Sequence, residues 1–334
     1  MFEGHRVVCV TPAGRRRYMK LLVPQILASP VVDRYDVWVN TDDAGDLAFL
    51  RRLPELDSAR PERVRLIAQP DNLAPDWGAI AGFHRFAQDP DTIYIRLDDD
   101  VVWLEPGFFE TLLSFRIANP RYFLVMPLII NNALCTHLLR TLGKIASSRF
   151  VGAACMDPVG WKDPAFAVKL HRLFLDLLAR GEAARLHCGA HEIAMNRFSI
   201  NAICWFGRDL AALGGEVGIA EEEELSNLIP TRLGRTNCFC TDTIAAHFAF
   251  YVQRRALDRT DILDAYARHL AARAELRPLL SAAEALCAAT DADHPSAPAA
   301  QAPRPSWRTR LWNRWVRPPR ARRQPVELGL GPSF

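Results

Sequence analysis

Apolar and polar positions alternate at two periods along the first hundred residues. Apolar runs of strand length occur at 5–12 (HRVVCVTP), 35–43 (YDVWVNTDD), 63–70 (RVRLIAQP) and 92–100 (TIYIRLDDD). Between them, 15–29, 46–56 and 76–89 carry apolar residues at helical spacing. Repeated β–α units of this length predict an α/β protein with a mostly parallel sheet and flanking helices. The pattern continues with a helix over 108–120 and an apolar strand over 122–130. Residues 132–190 read as helix and loop, with a clear amphipathic helix at 163–181. Beyond 191 the character is mixed: strand-like at 199–207, a helix start and turn at 221–234, and extended at 238–251. Ala/Leu-rich helices are predicted over 257–290, and a Pro/Ala linker begins at 291. The chain thus divides into 5–130, 131–255, a helical 256–290 and a tail, 291–334.

In parallel sheets of this kind ligands bind outside the carboxyl ends of the strands. The conspicuous carboxylates fall there: Asp42 and Asp43 after the second run, Asp98, Asp99 and Asp100 after the fourth. Three adjacent aspartates repel one another unless something positive, usually a metal ion, sits among them. Asp98 and Asp100 would face opposite sides of a continuing strand, so reaching one ligand requires a turn. Two neighbouring segments are weaker signals. His187–Glu192 (HCGAHE) lacks the ligand spacing of a zinc site and reads as structural. Trp77 and Trp103 flank the aspartates in sequence and suit either stacking or core packing.

The run AIAGFHRFAQDPDTIYIRLDDDVVWLEPG, with VVCVTPAGR near the start and VWVNTDD after the second run, resembles the nucleotide-sugar glycosyltransferases of the GT-A fold, family-2-like and DxD-containing. That resemblance covers about 5–255 and implies a GT-A-like sheet with a mixed acceptor-side half. It implies nucleoside contacts from Thr11, Pro12, Arg15 and Asp42 or Asp43. It also implies Asp98 near the ribose, Asp99 beside it, and Asp100 on a divalent metal (Mn2+ or Mg2+), with Asp98 contributing. GIAEEEEL (218–225) resembles the segment that supplies the base of inverting members, which points to Glu222 or Glu223 among the four glutamates. His247 resembles the histidine that some members add to the metal shell. The structural alternatives are a charged first helical turn for the glutamates and a satisfied core residue for His247.

Composition narrows the classes further. The 334 residues are 49% hydrophobic and 24% charged, a globular profile. The start of the chain shows no basic segment followed by a long apolar one, so no signal peptide is expected. The apolar run 122–135 is too short to span a bilayer. Eight cysteines without paired spacing read as reduced thiols of a cytoplasmic protein. The net charge of +3 is uneven: eight arginines and one acid lie from 304 onward, leaving 33 basic against 37 acidic residues before it. An acidic body argues against nucleic acid as partner. The basic segment 304–323 carries Trp307, Trp312 and Trp315 among its arginines, which suits an anionic membrane surface at the inner face. The expected function is transfer of a sugar from a nucleoside diphosphate donor to a hydroxyl of a glycan or lipid-linked acceptor, inverting at the anomeric carbon. The alternatives are a sugar nucleotidyltransferase, for which TPAGRRR is a poor triphosphate loop, and a non-catalytic sugar- or membrane-binding protein.

Overall fold

Val7, Val8, Cys9 and Val10 are wholly buried, and the run that contains them, Arg6–Ala13, forms strand β1. In a computed structural model of the chain, residues 1–294 and the backbone of 328–330 are described. After β1 come α1 (Arg16–Leu27), β2 (Arg34–Val39), α2 (Ala44–Arg52) and β3 (Val64–Ile67). A 3-10 helix (Ala79–Phe86) leads to β4 (Thr92–Leu97) and a short β5 (Val101–Leu104). Then follow α3 (Phe108–Ala118), β6 (Val125–Ile130), α4 (Ala133–Thr141), β7 (Ile145–Ser147), α5 (Pro164–Ala179), β8 (Ala190–Ile193) and β9 (Ala202–Phe206). The remaining elements are α6 (Gly207–Ala211), α7 (Glu221–Glu223), α8 (Ile229–Arg232), β10 (Asn237–His247), α9 (Tyr251–Leu257), α10 (Ile262–Ala271), α11 (Arg277–Asp293) and β11 (Leu328–Leu330).

Nine strands make one sheet in the order β3-β2-β1-β4-β9-β6-β10-β5, with β8 also on β10. The first four are mutually parallel, β9 runs against β4 and β6, and β10 is parallel to β6. β5 and β8 run against β10. The carboxyl ends of β1, β2, β4, β6 and β10 therefore share one edge with the start of β9. The α/β sheet expected from the pattern is present, with an antiparallel component in the second half. The expected helix over 76–89 is shorter and tighter. Asp76 Oδ1 accepts from Ala79 N at 2.8 Å, so the helical turn starts only there.

β10 is long because different neighbours cover its two halves. Asn237–Cys240 pairs with β8, Ala245–His247 with β5, and its register against β6 shifts between Cys240 and Ile244. The backbone groups that this bulge releases find side chains. Ile244 N donates to Glu105 Oε2 at 3.0 Å, while Thr241 N donates to Gly189 O at 3.1 Å and the Thr241 hydroxyl accepts from Cys188 N at 3.0 Å. Buried Gln25 of α1 joins the β5 edge to that helix by accepting from Leu104 N at 2.7 Å. Among the described residues no helix is long and apolar enough to cross a membrane. The basic segment 304–323 lies outside the described residues.

Candidate active site at the carboxyl edge of the sheet

The aspartates do not continue β4. Asp98 N donates to Asn201 O at 2.8 Å and Val101 N donates to Asp98 O at 3.0 Å, a tight corner that reverses the chain into β5. Each carboxylate of the corner meets a guanidinium. Asp98 accepts from Arg96 Nη2 at 2.9 Å and from Asn201 Nδ2 at 3.1 Å. Asp99 accepts from Gly14 N at 2.9 Å, Arg15 Nε at 3.0 Å and Arg15 Nη2. Asp100 accepts from Arg15 Nη1 at 2.8 Å and Arg254 Nη2 at 3.2 Å. Arginines therefore supply the positive charge that the triplet requires. Burial alone would raise the Asp100 carboxyl, but Arg15, His247 and Arg254 hold it far below the usual carboxylate range. The Gly14 contact is possible because the turn after β1 is tight: a Cβ there would stand 2.9 Å from Asn40 O.

His247 ends β10, with its Nε2 3.3 Å from Asp100 Oδ1 and its Nδ1 3.4 Å from Asn131 O. Both His247 and Asp100 are 2% exposed. Each ring nitrogen of His247 thus faces an oxygen, Nδ1 a carbonyl and Nε2 a carboxylate. A proton on Nε2 or a cation between the two atoms would make that approach favourable. Asn131 adopts a left-handed φ of 64° at the end of β6. Its side chain donates to Phe248 O and Gln253 Oε1, which fixes that turn against the start of α9. Asn132 caps α4 by accepting from Leu134 N and Cys135 N, and donates to Ser199 O and Asn201 Oδ1. The ends of β4 and β6 and the start of β9 are thus stitched together beneath the aspartates.

Four consecutive glutamates separate by side. Glu222 accepts from Arg197 Nε at 2.8 Å and from Cys155 Sγ at 3.1 Å, and Cys155 in turn lies 3.2 Å from Ser199 Oγ. Glu223 is bonded by Asn227 at 2.7 Å and Glu224 by Arg232 at 2.7 Å. Glu221 turns inward, 5% exposed, onto Arg96 Nη1 and His84 Nε2, each at 2.5 Å. The sequence places Glu221 among the four candidates without distinguishing it, although a signal for its inward turn exists. Arg96 interrupts an apolar buried strand and needs a carboxylate partner.

The residues implied for nucleoside contacts divide too. Thr11 and Pro12 are buried in β1, while Arg15 is drawn onto the aspartates. Asp42 is exposed. Asp43 is the N-cap of α2, accepting from Asp46 N at 2.8 Å and pairing with Arg16 at 3.0 Å. Trp77 is 72% exposed, and its segment is tied to the end of β2 by Asn40 Nδ2 donating to Asp76 O. Trp103 is core, edge-on to Phe174. His187 and His191 are engaged by Glu105 and Cys188 O. Among the described residues no three His, Cys, Asp or Glu side chains stand together as a metal cage.

No protein-family model matches the chain, and no curated protein matches it. Solved structures of similar arrangement include a mannosyltransferase from Pyrobaculum calidifontis in complex with GDP-Man and Mn2+. It is 15% identical over 85% of this chain and 75% of that one, with a TM-score of 0.45. Glucosyl-3-phosphoglycerate synthase from Mycobacterium tuberculosis, in complex with phosphoglyceric acid, is 14% identical over 80% of both chains, with a TM-score of 0.42. A CMP:2-keto-3-deoxy-manno-octonic acid synthetase complexed with CTP is 13% identical over 79% of this chain and 100% of that one, with a TM-score of 0.40.

Proposed function

We propose that the chain is a metal-dependent glycosyltransferase that moves a sugar from a nucleoside diphosphate donor to an acceptor hydroxyl. The observation that carries this reading is the acidic corner at the carboxyl edge of the sheet. There Asp100 and His247 Nε2 face each other at 3.3 Å while Nδ1 is directed at Asn131 O. That donor set fits a divalent ion, since Mg2+ and its relatives are commonly held by one or two protein ligands plus substrate phosphates and waters. Asp100 and His247 would hold such an ion, which would supply positive charge to offset that building on the departing group.

The protein residues divide the remaining tasks. Asp98, the most accessible of the three with its side chain 21% exposed, faces the ribose. It does not stand together with Asp100 and His247, so the expected third place in the metal shell would be left to those two and the substrate. Asp42 and Asp43 are the exposed residues on the nucleoside side, with buried Thr11 and Pro12 behind them in β1. Asp99 holds Arg15, and Arg15 and Arg254 present positive charge where the diphosphate lies. Glu222 takes the acceptor proton as the hydroxyl attacks, with inversion at the anomeric carbon. Glu222 is favoured over Glu223 because its neighbours Cys155 and Ser199 connect through Asn132 to Asn201 and Asp98, whereas Glu223 is turned to Asn227. A nucleotidyltransferase would need a loop free to wrap a triphosphate. The turn at Gly14–Arg15 is instead bonded to Asp99. A lipid-linked acceptor remains part of the proposal through the basic tail 304–323, and deleting 304–334 should release the protein from anionic vesicles.

The test is release of nucleoside diphosphate from a panel of UDP-, GDP-, CDP- and dTDP-sugars. Glu222→Gln should lower kcat at least about 100-fold with little change in donor KM. Turnover at the native rate in that variant removes Glu222 as base.

A further inference from the structure

Beneath the corner lies a buried polar chain that the proposed reaction does not use. His84 is fully buried between Trp38 and Trp205, its ring centroid 5.1 and 5.7 Å from theirs. Its Nε2 donates to Glu221 Oε1 at 2.5 Å. The same oxygen accepts from Arg96 Nη1 at 2.5 Å, and Arg96 Nη2 reaches Asp98 Oδ1 at 2.9 Å. Asn201 Nδ2 holds the other oxygen of Asp98 at 3.1 Å. Arg96 is 3% exposed. A buried ion pair of this kind is a poor source of net stability, because apolar residues of similar volume do as well. A planar guanidinium with one nitrogen on each carboxylate fixes direction. Glu221 and Glu222 are also neighbours on one helical turn, the first aimed inward at Arg96 and the second outward at Arg197 and Cys155. A π-helical turn, Glu224–Leu228, follows directly.

We infer that Glu221 is a positioning residue: through Arg96 it holds Asp98 in the orientation that engages the donor, and it ties that carboxylate to the segment carrying Glu222. The inference rests on the proposed function for its consequence, but the link itself is a property of the free protein. Donor engagement at Asp98 and the placement of the Glu221–Glu222 turn are then coupled through one guanidinium.

The experiment uses the full chain and two readouts. The first is hydrogen exchange of the Asp98 and Val101 amides, both bonded within the corner. The second is affinity for UDP, GDP, CDP and dTDP with Mn2+. Glu221→Gln should speed exchange at those amides and weaken nucleotide binding, each on the order of tenfold. The binding loss should vanish in an Asp98→Asn background, where there is nothing left to position. Arg96→Lys keeps the buried charge but loses the fork, so it should reproduce both effects and serves if Glu221→Gln does not fold. Glu224→Gln, altering the outward glutamate paired with Arg232, is the control. Native exchange in folded Glu221→Gln and Arg96→Lys overturns the inference, as does a binding loss that adds to that of Asp98→Asn. If the unaltered protein binds none of the four nucleotides, the transferase reading fails, and the exchange measurement still decides the link.

Discussion

Arg15 is the residue on which the acidic corner most depends. It bonds both Asp99 and Asp100, and both carboxylates are 2% exposed. Removing one partner of a buried ion pair leaves the other charge desolvated and unpaired, which costs more than the pair itself contributes. Arg15→Ala should therefore lower the unfolding free energy by about 2–4 kcal/mol. Arg254 and the Gly14 amide keep the loss from being larger. Mn2+ should recover more stability in this variant than in the native chain, because the ion replaces the missing charge. Chemical denaturation with and without Mn2+ checks both statements, and a variant as stable as the native chain would refute the first. Three aspartates in a row pointed to a positive partner without saying which kind. Arg96 stands two residues before Asp98, but the other arginines of the corner come from positions 15 and 254, and no local pattern links those distances. The four glutamates posed the same difficulty on a smaller scale. Which side each faces depends on the start of a single helical turn, and that start is set by burial of Glu221 against Arg96 rather than by local propensity.

Strands and helices were legible where burial and period agree. The apolar run 5–12 is β1 at Arg6–Ala13, and the helical pattern 15–29 is α1 at Arg16–Leu27. The polar ends of the strand runs departed from extended structure for a chemical reason: Asp43 caps α2 and Asp98 opens a corner. β5 was less legible, because Val101–Leu104 is short and its antiparallel pairing to β10 is remote in sequence. The bulge in β10 is likewise set by tertiary contacts. It is held by Glu105, which also accepts from His187 Nε2 at 2.9 Å. The hydrogen bond to Glu105 holds the His187 pKa above the ordinary histidine value, against the opposing effect of burial. A group whose folded pKa is raised contributes stability that is fully present below its unfolded pKa, near 6.5, and is lost as pH rises through the folded value. His187→Gln should thus cost about 0.5–1 kcal/mol at pH 5.5 and close to nothing at pH 9. Melting temperatures across that range test this, and a deficit that does not shrink as pH rises would contradict the assignment.

Across the whole molecule, strand direction brings the chemistry to one edge. Six strands of the sheet run the same way, so the residues after β1, β2, β4, β6 and β10 converge although they are separated by up to 239 positions (from 15 to 254). β9 runs against its neighbours, so its start, not its end, brings Asn201 to the same place. That convergence is why a sheet read from hydrophobic periodicity could locate the candidate site before the identities of its partners were known. The proposed role of the corner is to bind a nucleoside diphosphate together with a divalent ion. Calorimetric titration of the full chain with UDP, GDP, CDP and dTDP, each with and without Mn2+, tests it most directly when repeated with Asp100→Asn. The account predicts binding of one nucleotide, only with the metal and only with Asp100 intact, while the variant keeps its cooperative melt. Binding of equal strength without metal or in Asp100→Asn, or no binding of any of the four, would contradict it.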